Sequence, residues 1–329
     1  MSRHRLAPSA RGSLPRRAAF PAAAAAVVCL TVWTATGFPS PVRGDSDAVP
    51  RSGGLTRSAT AALESPSAAS SAASSRAAAS SRTVDPDQIL TRRLAALPKP
   101  AKVSVSVALI DLKDGREADY GVGVGKATAT YDTASIVKVN ILVALLLQAQ
   151  DEHRALTTAE KSRATKMIKV SDNESADALW RTIGKGDGLD AANRRLGMTG
   201  TTAGSGPLWG LTQSTAADQI ALLSAVFGDD ATSPLTAASR TYVRSLMGGI
   251  EPGQDWGVSA AGTVTGLKNG WLSRSATGLW DVNSIGRIVV DGHSYLLAVL
   301  SRGSVSMEAG ISLVEKAATT AVSASREWT

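Results

Sequence analysis

The stretch YDTASIVKVNILVALL, Tyr131–Leu146, decides the fold. After Lys138 it runs Val, Asn, Ile, Leu, Val, Ala, Leu, Leu, apolar on nearly every face. Such a pattern predicts a helix enclosed by protein rather than one half in water. Lys138 is carried into that surrounding, where an unpaired ammonium is costly and the usual relief is a partner or a lowered pKa. A neutral lysine accepts protons. Ser135 lies one turn earlier on the same face, so its hydroxyl is expected within hydrogen-bond reach of the amine and activated as a nucleophile. The competing reading makes Ser135 a helix cap and lets Lys138 snorkel to the surface. The pattern S-x-x-K alone does not decide between them.

Outward from this helix the chain alternates in type. DPDQILTRRLAALP predicts a helix capped by Asp85 or Asp87 and ended by Pro98. KVSVSVALIDL and READYGVGVG, turned at KDG, predict a hairpin. Near the C-terminus TVTGLKNGWL predicts a strand, GLWDVNSIGRIVVDGHSYLLAVLSRG two more turned at Asp291-Gly292, and VSMEAGISLVEKAATTAVSAS a closing helix. Between Ser135 and about Gly262 the pattern is helical, with helices expected at TTAEKSRATKMIKV, ESADALWRTIG, GLDAANRRLG, TAADQIALLSAVF and LTAASRTYVRSLMGG. The fold class is therefore α+β, an antiparallel sheet flanked by helices with a mainly helical insertion. A cleft is expected where the two parts meet.

The N-terminus has a different character. A basic run followed by PAAAAAVVCLTVWTATGF has the layout of an export signal, assigned to residues 1–38 with cleavage near Thr36 or Gly37. Arg16 and Arg17 suit either a twin-arginine or an ordinary secretory signal, and an uncleaved segment would serve as a membrane anchor. Cys29, the one cysteine, falls inside it, which leaves the remainder without disulfides or thiolate metal ligands. Residues 39–85 are rich in Ala, Ser and Pro without hydrophobic period and are expected to form a disordered tether, leaving 86–329 as the folded domain. The net charge of +7 belongs to this leader: residues 1–82 hold ten of the 35 Lys and Arg but three of the 28 acids, so the rest is neutral. A one-sided basic surface for nucleic acid is not expected.

Two further polar clusters stand out. In VSDNESADALW, Ser171, Asp172 and Asn173 precede an amphipathic helix; they read as cap and turn, or as a hydroxyl that relays a proton and an amide that grips a substrate amide. In GLKNGWL, Lys268 reads as an edge-strand lysine or as an ammonium at a cleft, with Gly270 permitting close backbone approach. S-x-x-K opening a buried helix, then S-D-N, then K-x-G on a late strand is the ordered set of class A β-lactamases and penicillin-binding proteins, and the chain resembles that serine hydrolase family over about residues 86–326. The resemblance implies that Ser135 attacks an amide carbonyl, Lys138 takes or relays its proton, and Ser171 passes a proton to the leaving nitrogen. It implies that Asn173 orients the substrate, that Lys268 attracts a substrate carboxylate and tunes Ser171, and that the amides of Ser135 and Trp271 form an oxyanion hole. An oxyanion site at Ser135 also follows from the helix N-terminus there.

The departures from the family bear on turnover. Class A β-lactamases carry a deacylating glutamate in the loop after the S-D-N helix, and GMTGTTAGSGPLWGLTQSTAADQ contains none. Asn269 stands where the family usually has Thr or Ser, replacing a substrate-binding hydroxyl by an amide. The interval between the first two motifs is short, so one cleft wall is expected to be reduced. A histidine triad would have to draw on His153 or His293, ligands for a metal lack useful spacing, and GVGVG lacks the helix a dinucleotide fingerprint needs. No cofactor is called for. The expectation is an exported, secreted or envelope-associated serine hydrolase acting on a small-molecule amide or lactam through an acyl-enzyme on Ser135. The alternatives are a D-alanyl carboxypeptidase or transpeptidase acting on a peptidoglycan stem peptide, and a catalytically weak protein that binds peptidoglycan or a β-lactam.

Overall fold

In the computed structural model, residues 85–121, 129–229 and 231–328 are described. The export signal, Cys29 and all of the tether except Asp85 lie outside them, as does most of GVGVG. The described elements belong to one unit, Arg76–Thr329.

Helix α1 (Pro86–Ala95) is capped by the Asp85 side chain, which accepts from Asp87 N. Strands β1 (Ser104–Asp111) and β2 (Glu117–Tyr120) form the first hairpin. A two-residue strand β3 (Tyr131–Asp132) leads through a 3-10 turn, Ala134–Ile136, into α2 (Val137–Asp151). The helical part continues with α3 (Thr158–Lys169), α4 (Asn173–Thr182) and α5 (Lys185–Arg195), then β4 (Gln213–Ser214) paired with β3, then α6 (Ala216–Phe227) and α7 (Ala237–Met247). Strands β5 (Thr263–Ser273), β6 (Trp280–Val290) and β7 (His293–Ser304) and helix α8 (Met307–Ser325) complete it. The antiparallel sheet has the order β2-β1-β7-β6-β5. Its β6–β7 turn places Asp291 and Gly292 at φ +50° and +79°, the left-handed pair that a two-residue hairpin requires.

Strand alternation splits the core into two layers. On β7, Leu296, Ala298 and Leu300 join the helical part, while Tyr295, Leu297 and Val299 face α1 and α8. Helix α2 is buried without interruption from Val137 to Leu147, which is why its sequence is apolar all round. By length and composition residues 134–151 would suffice to cross a membrane, but here they form the centre of the helical layer. β5 is an edge strand, and the Ala134–Ile136 turn packs against it. The S-x-x-K segment thereby meets the K-x-G segment although 130 residues of chain separate Lys138 from Lys268.

Candidate active site

Lys138 is fully buried, so it does not snorkel. Its Nζ donates to Ser171 O at 2.7 Å, to Asn173 Oδ1 at 2.7 Å and to Ser171 Oγ at 3.1 Å. These three acceptors use all three donors of an ammonium. Burial pushes the amine down to about 7, against the opposing charges of Asp172 and Asp177. The expected Ser135–Lys138 hydrogen bond is not formed: Ser135 sits in the 3-10 turn, α2 begins only at Val137, and the lysine is directed to the S-D-N segment instead. Ala134, just before Ser135, has φ +48°, an unfavourable backbone for a residue with a side chain.

Ser171 also has positive φ, +56°. Asp172 caps α4 by accepting from Ser175 N at 2.7 Å, which fixes where Ser171 and Asn173 stand. Lys268, likewise fully buried, donates to Ser171 Oγ at 3.1 Å and to Asn269 O at 2.9 Å. Its pKa is held well below the ordinary lysine value by burial and then by the charge of Lys138. Ser171 Oγ is therefore flanked by two amines at equal distance. With one amine neutral, the hydroxyl has both a proton donor and a proton acceptor at hand, which is the arrangement a relay needs.

The remaining residues of the third cluster divide by strand alternation. A Cβ on Gly270 would lie 2.7 Å from Ser135 N, 2.7 Å from Thr133 O and 2.8 Å from Ile136 N, so the bare α-carbon is what lets the Ser135 turn dock on β5. Trp271 follows, half-buried, with its ring 5.9 Å from that of Trp256. Asn269 differs from expectation. Only 1% exposed, it donates through Nδ2 to Gln254 O and Trp256 O at 2.8 Å each, so it ties down that loop rather than facing Ser171. The reason is the pleat: with Lys268 turned toward Ser171, its neighbour must point to the opposite face.

Three residues join the site without having been singled out in the sequence. Trp209 lies with Lys138 Nζ 4.9 Å from its ring centroid, and its Nε1 donates to Asp177 Oδ1 at 2.7 Å. Gln254 Nε2 donates to Val170 O at 3.1 Å while its backbone carbonyl accepts from Asn269 Nδ2, linking the second cluster to the third. Asn283, on β6, donates to Asp132 O at 2.9 Å and Thr133 O at 3.1 Å. A tryptophan in a three-residue 3-10 turn and a loop glutamine carry no periodic signal, whereas a polar Asn at a core position of a strand was a readable one. Among the described residues no carboxylate hydrogen-bonds Lys138, no group of His, Cys, Asp and Glu is arranged to hold a metal, and His293 pairs with Asp111 at 2.7 Å rather than with a serine.

The model of the beta-lactamase enzyme family matches residues 161–324, a span that contains Ser171, Asn173 and Lys268 and begins after Ser135 and Lys138. A search of curated proteins finds no match. Among solved structures, a class A beta-lactamase from Bacteroides cellulosilyticus DSM 14838 superposes with TM-score 0.61 at 17% identity, covering 74% of this chain and 99% of that one. TLA-1 extended spectrum beta-lactamase gives 0.63 at 15% identity, with 72% and 98% covered. A point mutant of PBP-A, solved as its acyl-enzyme complex with penicillin G, gives 0.57 at 17% identity, with 73% and 97% covered. At these identities the structural likeness speaks for the fold, and the family match over the C-terminal part, together with the three motifs in order, makes the chain similar to the β-lactamase-like serine hydrolases.

Proposed function

We propose that the protein is an exported serine acyl-transfer enzyme that opens an amide or lactam, with Ser135 as nucleophile. The observation that carries this reading is Ser171 Oγ at 3.1 Å from both Lys138 Nζ and Lys268 Nζ, two buried amines whose charged forms are disfavoured. In the reaction, Ser135 Oγ turns to Lys138, which it does not contact in this structure, gives its proton to the neutral amine and bonds to the carbonyl carbon. Ser171 then gives its proton to the departing nitrogen as the C–N bond breaks, and is re-protonated from Lys138. The ester left on Ser135 is released by water or by an amine. Asn173 stays exposed, where its amide can meet a substrate amide, and Lys268, relieved of the Lys138 charge when that amine is neutral, is then the protonated partner that supplies positive charge for a carboxylate. The amides of Ser135 and Trp271 serve as oxyanion donors. A penicillin or a peptidoglycan stem peptide fits this chemistry.

Trp209 favours a second reading, a protein that is acylated or binds a β-lactam with little turnover. Its indole covers Lys138, and no carboxylate of the Gly197–Gln213 loop is there to activate water, since that loop contains none. Intact-mass measurement after mixing with a penicillin separates the readings. The enzyme reading expects an increase of one intact drug molecule, absent in Ser135→Ala, appearing in a burst and lost slowly. Rapid hydrolysis without an adduct would contradict slow release, and neither adduct nor turnover would exclude β-lactams as substrates.

A further inference from the structure

Asn283 is completely buried and fully used. Its Nδ2 gives one hydrogen to Asp132 O at 2.9 Å and the other to Thr133 O at 3.1 Å, while its Oδ1 accepts from Ser301 N at 3.0 Å. It stands directly across from Gly270 in the β5–β6 register. The two residues act on the same object: Gly270 clears the space in which Ser135 N and Thr133 O lie, and Asn283 reaches across to hold the carbonyls of the two peptides that lead into Ala134. Ala134 has φ +48°, a conformation disfavoured for a residue with a side chain, which persists only where the surroundings impose it. Ser301 completes the support, since its Oγ donates to Val282 O at 2.6 Å, beside Asn283 on the strand.

We infer that Asn283 is a positioning residue for the Ser135 turn: by donating to Asp132 O and Thr133 O it imposes the backbone that seats the nucleophile on β5. It touches no substrate, and its effect on rate rests on the reading of Ser135 as nucleophile. An ionised carboxylate at 283 would turn two donors into acceptors facing two carbonyl oxygens, and a protonated one would keep a single donor. Either way a tether is lost while the side-chain shape and the acceptor for Ser301 N remain.

The test compares wild type with Asn283→Asp and Asn283→Ala by two measurements. The first is the rate constant and the amplitude of Ser135 labelling by a fluorescent penicillin. Positioning predicts a rate constant lower by about tenfold or more at unchanged amplitude, since misplacement of about 1 Å costs on the order of 100-fold; loss of folded protein would lower amplitude alone. The second is hydrogen exchange at the amides of Thr133 and Ile136, bonded to Thr212 O and Thr133 O. Faster exchange there, with exchange in α8 unchanged, is the expected result. Wild-type exchange in a folded Asn283→Asp protein would overturn the inference. If wild type itself takes no label, the nucleophile reading fails for penicillins, and exchange still decides what Asn283 does.

Discussion

Asp177 Oδ1 accepts a 2.7 Å hydrogen bond from Trp209 Nε1 and thereby holds the indole whose centroid is 4.9 Å from Lys138 Nζ. A wide apolar surface so closes one side of the lysine, while the carboxylate of Asp177 is engaged by the indole N–H. Desolvation is the main cause of the lowered Lys138 pKa, and the indole is part of what excludes water.

Acylation by wild type is expected to rise with pH through about 7, because only the neutral Lys138 amine accepts a proton. Trp209→Ala admits water to the amine and should move that midpoint upward by about one unit or more. Labelling rates measured across neutral and mildly alkaline pH give the answer. An unchanged midpoint would mean that the rest of the helical layer desolvates Lys138 without the indole.

Lys138 itself is tested by two substitutions. Lys138→Ala removes the base, and Lys138→Arg retains a side chain that cannot be neutral, so both should slow acylation by about 100-fold or more. Labelling of the arginine variant at the wild-type rate would sink the assignment. The same amine bears on stability. Its folded pKa lies below the unfolded one, so the unfolded chain binds more protons between about 7 and the ordinary lysine value. Stability from this group is therefore lost as pH falls through that window and regained as pH rises, which chemical denaturation at several pH values would display.

Asp281 has the opposite sign. Burial first, and then the charge of Asp132, raise its carboxyl to about 6, with Arg274 opposing. Its contribution is favourable below the ordinary Asp value and is lost as pH rises through about 6. Asp281→Asn should therefore be more stable than wild type near pH 7, by on the order of 2 kcal/mol, with the gain vanishing in acid. A gain that persists undiminished in acid would point to packing rather than to the buried charge.

The fold was legible because its two periods are clean. β7 alternates between two cores and α2 is apolar all round, so the strand and helix assignments of those segments needed no tertiary information. Other placements depend on contacts between distant segments. The short β3–β4 ribbon and the 3-10 turn at Ser135 exist because the loop before α6 returns to the segment before α2, and two-residue strands leave no pattern to read. Arg240 on α7 is 1% exposed and donates to Val226 O, at the C-terminal end of α6, a burial set by the packing of α7 on α6 and not by any local pattern. The site was legible as three motifs in order. Which amine meets which hydroxyl was not, because Ser171 enters with φ +56° and Ser135 with a 3-10 turn, backbone choices that local propensity disfavours and only the packed cleft imposes.

Gly270 offers the sharpest test of how the sheet sets the nucleophile. A methyl group there would stand 2.7 Å from Ser135 N and from Thr133 O, both backbone atoms, so no side-chain rotation relieves the clash. The opposing carbonyls are held by Asn283, and Asp132 is further fixed by Arg274 and Gln213. Either β5 moves outward, as an edge strand can, or the turn shifts. Overpacking of this kind costs about 1–3 kcal/mol, so Gly270→Ala should fold with a lowered Tm. On the proposed mechanism its acylation should nevertheless fall much further than its folded fraction, by on the order of 100-fold, because the displaced atoms would carry the nucleophile and one oxyanion donor. Equal losses in folded fraction and in labelling would reduce Gly270 to a packing position. A variant that labels at the wild-type rate would show that Ser135 does not need this seat on β5.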